Sequence, residues 1–177
     1  MNKYNKNVFS NLNHTIVNDF GFKILEYDGY SYRINFWDLI SPDKKNYKVP
    51  EYFAKDFHGV VIMSSATNIQ SRNDCLKWKK SVDEIAIFPD GKELPCILVE
   101  NNINMLLNNE RFDPIFEEFW KKNGFTKGFR VSSKTGENVN ESIDYLVKEI
   151  IKRMKIIKKE IETPSRRQRK DKNCLIF

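Results

Sequence analysis

The sequence predicts an α/β protein: an open, largely parallel sheet joined to one antiparallel hairpin. Two stretches with period-two alternation flank Asp28-Gly29, the strongest hairpin signal in the chain. Short continuous apolar runs at 59–63 and 96–99 suit strands buried on both faces of a parallel sheet. Segments of helical periodicity separate and follow these runs, the pattern of a sheet with crossover helices.

Each element follows in order. Phe20, Phe22 and Ile24 share one face of a first strand over 20–27, and Tyr30, Tyr32, Ile34 and Phe36 alternate along a second. Glycine after Asp28 tolerates the positive φ of a type I′ turn. The run Gly59-Val60-Val61-Ile62-Met63 is the third strand. Residues 71–85 read as a helix with Leu76, Val82 and Ile85 inside and Lys77, Lys79 and Lys80 outside. Pro89-Asp90-Gly91 is a turn and Cys96-Ile97-Leu98-Val99 a buried strand. Asp113-Pro114 opens a helix as N-cap and first-turn proline, and Asn123-Gly124 closes it. A short strand is expected at 129–131. Ile143, Leu146, Val147, Ile150, Ile151, Met154, Ile157 and Ile161 keep to one face of a long last helix. Periodicity stops after Thr163-Pro164, so a domain over 1–162 and a disordered basic tail over 163–177 are expected.

Charge divides the chain at the same place. Of a net +6, residues 148–177 hold 11 Lys/Arg against 4 Asp/Glu, while residues 1–147 hold 19 against 20. A near-neutral body with a basic tail argues against a nucleic-acid-binding domain. No apolar run approaches the roughly 18 residues of a membrane span, and the Asn- and Lys-rich start lacks a secretory h-region. Cys75, Cys96 and Cys174 are odd in number and lack metal-type spacing, which points to a reducing compartment. His14 and His58 each stand alone and read as structural or surface residues.

In an open α/β sheet, ligands bind where the strands end at their carboxyl side. The loops there are Trp37-Asp38-Leu39-Ile40-Ser41-Pro42, Asn101-Asn102-Ile103-Asn104 and Ser132-Ser133-Lys134-Thr135-Gly136-Glu137-Asn138-Val139. In this order they resemble the Rab family of Ras-like small GTPases, over roughly residues 3–152. Trp37-Asp38 stands at the family's W-D-x-A-G-Q motif, Asn101 to Asn104 at N-K-x-D, and Ser132-Ser133-Lys134 at S-A-K, followed by a TGENV run common in Rabs. Thr15-Ile16 before Asp19-Phe20 resembles the switch I threonine and its strand. Trp78-Lys79 and Phe88-Pro89-Asp90-Gly91 resemble the Rab subgroup of lysosome-related organelles. The resemblance implies the P-loop NTPase-like small-GTPase fold, with GTP or GDP held through Asn101, Asn102, Asn104, Ser132, Ser133 and Lys134. It implies Mg²⁺ near Thr15 and Asp38, effectors as partners, and a role in vesicle trafficking.

The departures are as informative. None of the seven glycines fits the Gly-x-x-x-x-Gly-Lys-Ser/Thr loop whose N–H groups and lysine cradle phosphates. Only 14 residues precede Thr15, where a strand, that loop and half a helix need on the order of 20 or more. The chain is therefore expected to begin within the family's first helix, without its first strand. The hairpin and the 59–63 strand then lose a shared neighbour, which predicts low stability or a filled gap. The family's glycine and glutamine are Ser41 and Pro42. Pro42 cannot orient a water, so intrinsic hydrolysis is expected to be lost and no catalytic residue is assigned. Asn102 replaces the stacking lysine and Asn104 the carboxylate that accepts two bonds from guanine. An amide accepts one and faces the other donor with its own, a loss of about 2 to 4 kcal/mol, or about 30- to 1,000-fold in affinity. Ser133 in place of alanine is milder, since that position acts through its backbone N–H.

Cys174-Leu175-Ile176-Phe177 forms a CaaX box, predicting a geranylgeranyl lipid on Cys174. Arg166, Arg167, Arg169, Lys170 and Lys172 supply the second signal that stable anchoring to anionic lipid requires. The expected location is the cytoplasmic face of endomembranes, with a cytosolic pool and the prenylation and escort machinery as further partners. Three alternatives stand beside this reading: a prenylated pseudo-GTPase interaction module, a basic-tailed nucleic-acid-binding module, and an active nucleotidase in which Asn104 pairs with the C2 carbonyl of xanthine.

Overall fold

A computed structural model describes residues 19–39, 47, 49, 51, 56–108, 111 and 113–162. The hairpin comes first. Strands β1 (Asp19–Tyr27) and β2 (Tyr30–Asp38) pair antiparallel from Tyr27 opposite Tyr30 to Asp19 opposite Asp38. The turn between them takes φ of 54° at Asp28 and 74° at Gly29, positive at both central positions as a type I′ turn requires. That register sends Ile34 and Phe36 into the core and leaves Phe20, Phe22 and Ile24 exposed on the opposite face.

The second sheet is parallel, in the order β3 (Val60–Ser65), β4 (Cys96–Asn101), β5 (Lys127–Arg130). Central β4 is the most deeply covered: Ile97, Leu98 and Val99 alternate between two cores. Burial of β3 on both faces is not realised, because Met63 is 54% exposed. Among the described residues the strand pairs only with β4. The last strand begins two residues earlier than expected, at Lys127, and the Val131 N–H still donates to the Glu100 carbonyl at 2.8 Å.

Among the described residues three α-helices cover the parallel sheet. Helix α1 (Gln70–Ile85) and α2 (Pro114–Lys122) contribute Cys75 and Phe116 to one core, beside Ile62, Cys96, Leu98 and Phe125. The predicted cap is present: Asp113 accepts from the N–H groups of Ile115 and Phe116 at 3.0 and 3.1 Å. Helix α3 (Val139–Glu162) lays Leu146, Val147, Ile150 and Ile151 into the other core. Lys79 corrects the expectation that it faces out. It is 5% exposed, its stem lies within the fold, and its ammonium reaches Asp83 at 2.6 and 2.7 Å and Glu93 at 3.4 Å.

The two sheets share no strand pairing among the described residues. What joins them is the core around α3, which holds Ile34 and Phe36 of β2 together with Ile97 and Val99 of β4. Lys155 of α3 also pairs with Asp28 at the hairpin turn and lies over the rings of Tyr27 and Tyr30. Arg153 forks onto Asp90 at 2.7 and 2.8 Å, tying the Pro89-Asp90-Gly91 turn to the same helix. The Cys75 and Cys96 thiols are free and buried, and burial pushes both well above the usual thiol range. Among the described residues no helix is long and apolar enough to cross a membrane.

Candidate functional site

The carboxyl ends of β4 and β5 lie side by side, so the loops that leave them meet. After β4, Asn102 turns the chain with φ of 72°, a left-handed conformation that asparagine tolerates better than most residues. A single 3-10 turn follows over Ile103–Met105, anchored by the buried Ile103, whose N–H donates to the Val131 carbonyl at 3.2 Å. After β5, Ser132 folds its loop around itself. Its N–H donates to the Glu137 carbonyl at 3.0 Å, and its carbonyl and hydroxyl accept from the N–H groups of Gly136 and Thr135 at 2.8 and 3.1 Å.

Of the six residues expected to hold a base, direct hydrogen bonds join four in two pairs across the loops. Asn101 Oδ1 accepts from the Ser133 N–H at 2.9 Å, and Asn101 Nδ2 donates to Ser133 Oγ at 3.0 Å. Ser132 Oγ donates to Asn104 Oδ1 at 2.7 Å. Asn102 Nδ2 donates to Ser65 Oγ at 3.0 Å, which brings the end of β3 into the cluster. Lys134, the sixth, is exposed in the same turn. Ser65 was not legible in the sequence as a site residue, since a serine ending an apolar run carries no signal of what it touches.

The polarity of the cluster decides what it can bind. Asn104 gives one lone pair of its carbonyl to Ser132, so toward a ligand it keeps at most one acceptor site beside the donors of its amide nitrogen. Guanine presents donors of its own, N1–H and the 2-amino group, at the edge that the family's aspartate reads. Asn104 therefore does not fit guanine as a carboxylate would. Asp38 ends β2, half-buried, in the other sheet, and no described hydrogen bond ties it to the asparagines. Among the described residues no group of three or more His, Cys, Asp or Glu is placed to hold a metal ion. Thr15, Ser41, Pro42, the basic residues 166, 167, 169, 170 and 172, and Cys174 lie outside the described residues.

Beneath the cluster lies an ion network. Glu100, the residue before Asn101, is 0% exposed. Its two oxygens accept from Arg72 Nε of α1 at 2.6 Å and from Arg130 Nε of β5 at 2.7 Å. Arg72 also pairs with Asp113, the cap of α2, and its guanidinium lies 5.3 Å from the Phe116 ring centroid. Two carboxylates and two guanidiniums balance in charge. Burial would raise the Asp113 carboxyl, but the hydrogen bonds from Arg72 and the Phe116 N–H, with the charges of Arg72 and Arg130, hold it below its ordinary value. Arg72 loses to burial and regains more from Glu100 and Asp113, so its guanidinium is held protonated more firmly than usual. A glutamate closing the apolar run Cys96-Ile97-Leu98-Val99 is a visible signal of a buried charge. Its partners, 28 and 30 residues away in sequence, are not visible there.

Comparison with known proteins finds relatives by sequence. The model of the Ras family matches residues 1–152. The human Ras-related protein Rab-7L1 is 28% identical over 152 residues, 85% of this chain and 74% of the relative. Mouse Ras-related protein Rab-32 is 26% identical over 138 residues, 77% of this chain and 61% of the relative. Ras-related protein Rab-32C of Dictyostelium discoideum is 31% identical over 137 residues, covering 77% and 59%.

Proposed function

Because this chain belongs to the Ras family, as a Rab small GTPase, we propose that it is a lipid-anchored regulator of vesicle trafficking with a degenerate nucleotide site. One observation carries the reading. The residues at the family's base-reading positions, Asn101, Asn102, Asn104, Ser132 and Ser133, lie on the two loops at the carboxyl ends of adjacent parallel strands, with Asn101 bonded to Ser133 and Asn104 to Ser132. Asn104, an amide with one carbonyl lone pair engaged by Ser132, supports weak guanine binding rather than the family's tight binding. With Pro42 at the glutamine position, turnover by the family mechanism is not part of the proposal.

The hairpin supports the part played by partners. Phe20, Phe22 and Ile24 are 44, 52 and 59% exposed in one row along β1, Trp37 packs on Phe20 at 4.7 Å between ring centroids, and Arg33 lies over Phe22 at 4.4 Å. An apolar row with aromatic and arginine members has the composition of a protein-binding surface. Membrane attachment rests on Cys174, with Arg166, Arg167, Arg169, Lys170 and Lys172 upstream of it. Mass spectrometry of the C-terminus from cells tests it: a prenylated, trimmed end supports the anchor, and an unmodified Cys174 removes it.

The deciding experiment for the site is a titration of the full chain with GTP, GDP, XTP and ATP in the presence of Mg²⁺. Micromolar or weaker purine binding, with no turnover, is the expected result. No binding of any of the four below millimolar removes the nucleotide site and leaves a pseudo-GTPase interaction module. The Ser132–Asn104 bond favours one second reading, a preference for xanthine nucleotides. Their C2 carbonyl accepts the bond that the Asn104 amide nitrogen has to give.

A further inference from the structure

We propose that strand β1 is a docking edge for a second copy of this chain, which pairs with it antiparallel about a two-fold axis at Phe22. The inference rests on reading the apolar row of β1 as a protein-binding surface, and it names what covers that row.

The hairpin turn fixes which backbone groups face outward. A two-residue turn makes its flanking pair, Tyr27 and Tyr30, a hydrogen-bonded one. Bonding then alternates, so Tyr27, Leu25, Lys23, Gly21 and Asp19 turn their N–H and C=O groups to β2. Phe20, Phe22, Ile24 and Glu26 turn theirs to the far edge, where among the described residues no strand pairs. Of these, Phe20, Phe22 and Ile24 also carry the exposed apolar row. Outward backbone groups and apolar side chains thus run along one nine-residue edge, the form of strand that pairs with another chain.

Self-complementarity picks the occupant and its register. A symmetric antiparallel pair keeps the two faces continuous only when outward residues meet outward residues. Centred on Phe22, it sets Phe22 against Phe22, Phe20 against Ile24 and Ile24 against Phe20, all hydrogen-bonded pairs along an unbroken apolar row. Centred on Lys23, it sets two ammonium groups directly opposite, which is unfavourable. Centred on Ile24, it sets Phe22 against the charge of Glu26. The outward positions of β2 are Ser31, Arg33, Asn35 and Trp37, a more polar edge. Residues 1–147 hold 19 Lys/Arg against 20 Asp/Glu, so two bodies meet without net repulsion. One strand pair is a small contact, so the dimer is weak and forms as concentration rises.

Analytical ultracentrifugation of the full chain tests this with wild type, Phe22→Lys, Phe22→Asp and an equal mixture of the two variants. Wild type should pass from monomer to dimer with rising concentration. Each charged variant alone meets its own charge across the axis, so its dissociation constant should rise at least about tenfold. The mixture should recover association, because opposite charges then face each other; only a register that opposes position 22 to itself gives that recovery. Phe22 is 52% exposed, so both variants should keep the wild-type melting midpoint. Amide exchange of the wild type needs no substitution. Protection at Phe20, Phe22 and Ile24 should rise with concentration, while Lys23 and Leu25, already bonded to β2, should not change. A wild type that stays monomeric with no such protection, a dimer that neither charge weakens, or a mixture that associates no better than its components overturns this pairing. Each of these leaves the apolar row standing as a surface for other partners.

Discussion

Replacing Glu100 by glutamine separates the buried ion network from everything around it. The substitution keeps shape and volume and removes one charge. In the wild type the carboxylate accepts two charge-assisted bonds, at 2.6 Å from Arg72 and 2.7 Å from Arg130. A glutamine side chain can accept one of them and faces the other guanidinium with its own N–H. Breaking a buried pair by removing one partner costs about 3–5 kcal/mol. Here the lower end applies, because Arg72 keeps Asp113 and Arg130 keeps the Arg111 carbonyl. A loss of about 3 kcal/mol is a large part of the roughly 5–15 kcal/mol that holds an ordinary domain folded. With a urea m-value of about 2 kcal/mol/M, the midpoint of unfolding should fall by about 1.5 M at unchanged m. Tryptophan fluorescence reports the transition through Trp37, Trp78 and Trp120. Arg72→Met, Glu100→Leu and Arg130→Met together should recover much of the loss, since well-packed apolar replacements of a buried ion pair are often neutral. A change under about 1 kcal/mol for Glu100→Gln would refute the reasoning, because that is what solvent-exposed ion pairs are worth.

Three further outcomes are expected. Gly128→Ala places a Cβ against the Trp120 indole, whose ring must then leave the β5 surface, so unfolding should become easier by about 1–3 kcal/mol in the same urea assay. Asp113, with its folded pKa held below the ordinary value, contributes stability that is fully present above the unfolded pKa and is lost as pH falls through the folded one. Acid titrations of wild type and Asp113→Asn should therefore diverge near neutrality, with the wild type more stable, and converge below the carboxylate range. Asn104→Asp restores the acceptor pair that guanine needs, so GDP affinity should rise about 30- to 1,000-fold while XDP affinity falls, as read by competition binding.

Local signals were legible in the sequence and distant ones were not. Asp28-Gly29 named its hairpin because two adjacent positive φ angles are a property of the turn alone. Asp113-Pro114 named its helix start because the cap bonds reach only two and three residues ahead. The long apolar face of α3 declared itself through periodicity. Lys79 was misplaced because the pattern around it is that of an outer face, while its partner Glu93 comes from beyond the helix. The exposure of Met63 depends on which strand lies beside β3, which no local run of residues encodes. For the site, the asparagines and serines could be aligned with a motif. The bonds that decide its polarity, Ser132 to Asn104 and Ser133 to Asn101, span 28 and 32 residues and had to be seen.

Among the described residues the two sheets share a core but no ladder, which lets the hairpin open on its own. Among the described residues the backbone hydrogen bonds of β1 and β2 stay within the hairpin, so these amides can be exposed to solvent without disturbing a bond of β3, β4 or β5. What resists that opening is side-chain packing against α3 and the Lys155–Asp28 contact. The exposed aromatic row therefore rides on a hairpin held by side-chain packing, while the asparagines ride on loops anchored to the parallel sheet. A partner gripping the hairpin would slow exchange there first, and a ligand at the asparagines would leave that exchange almost unchanged.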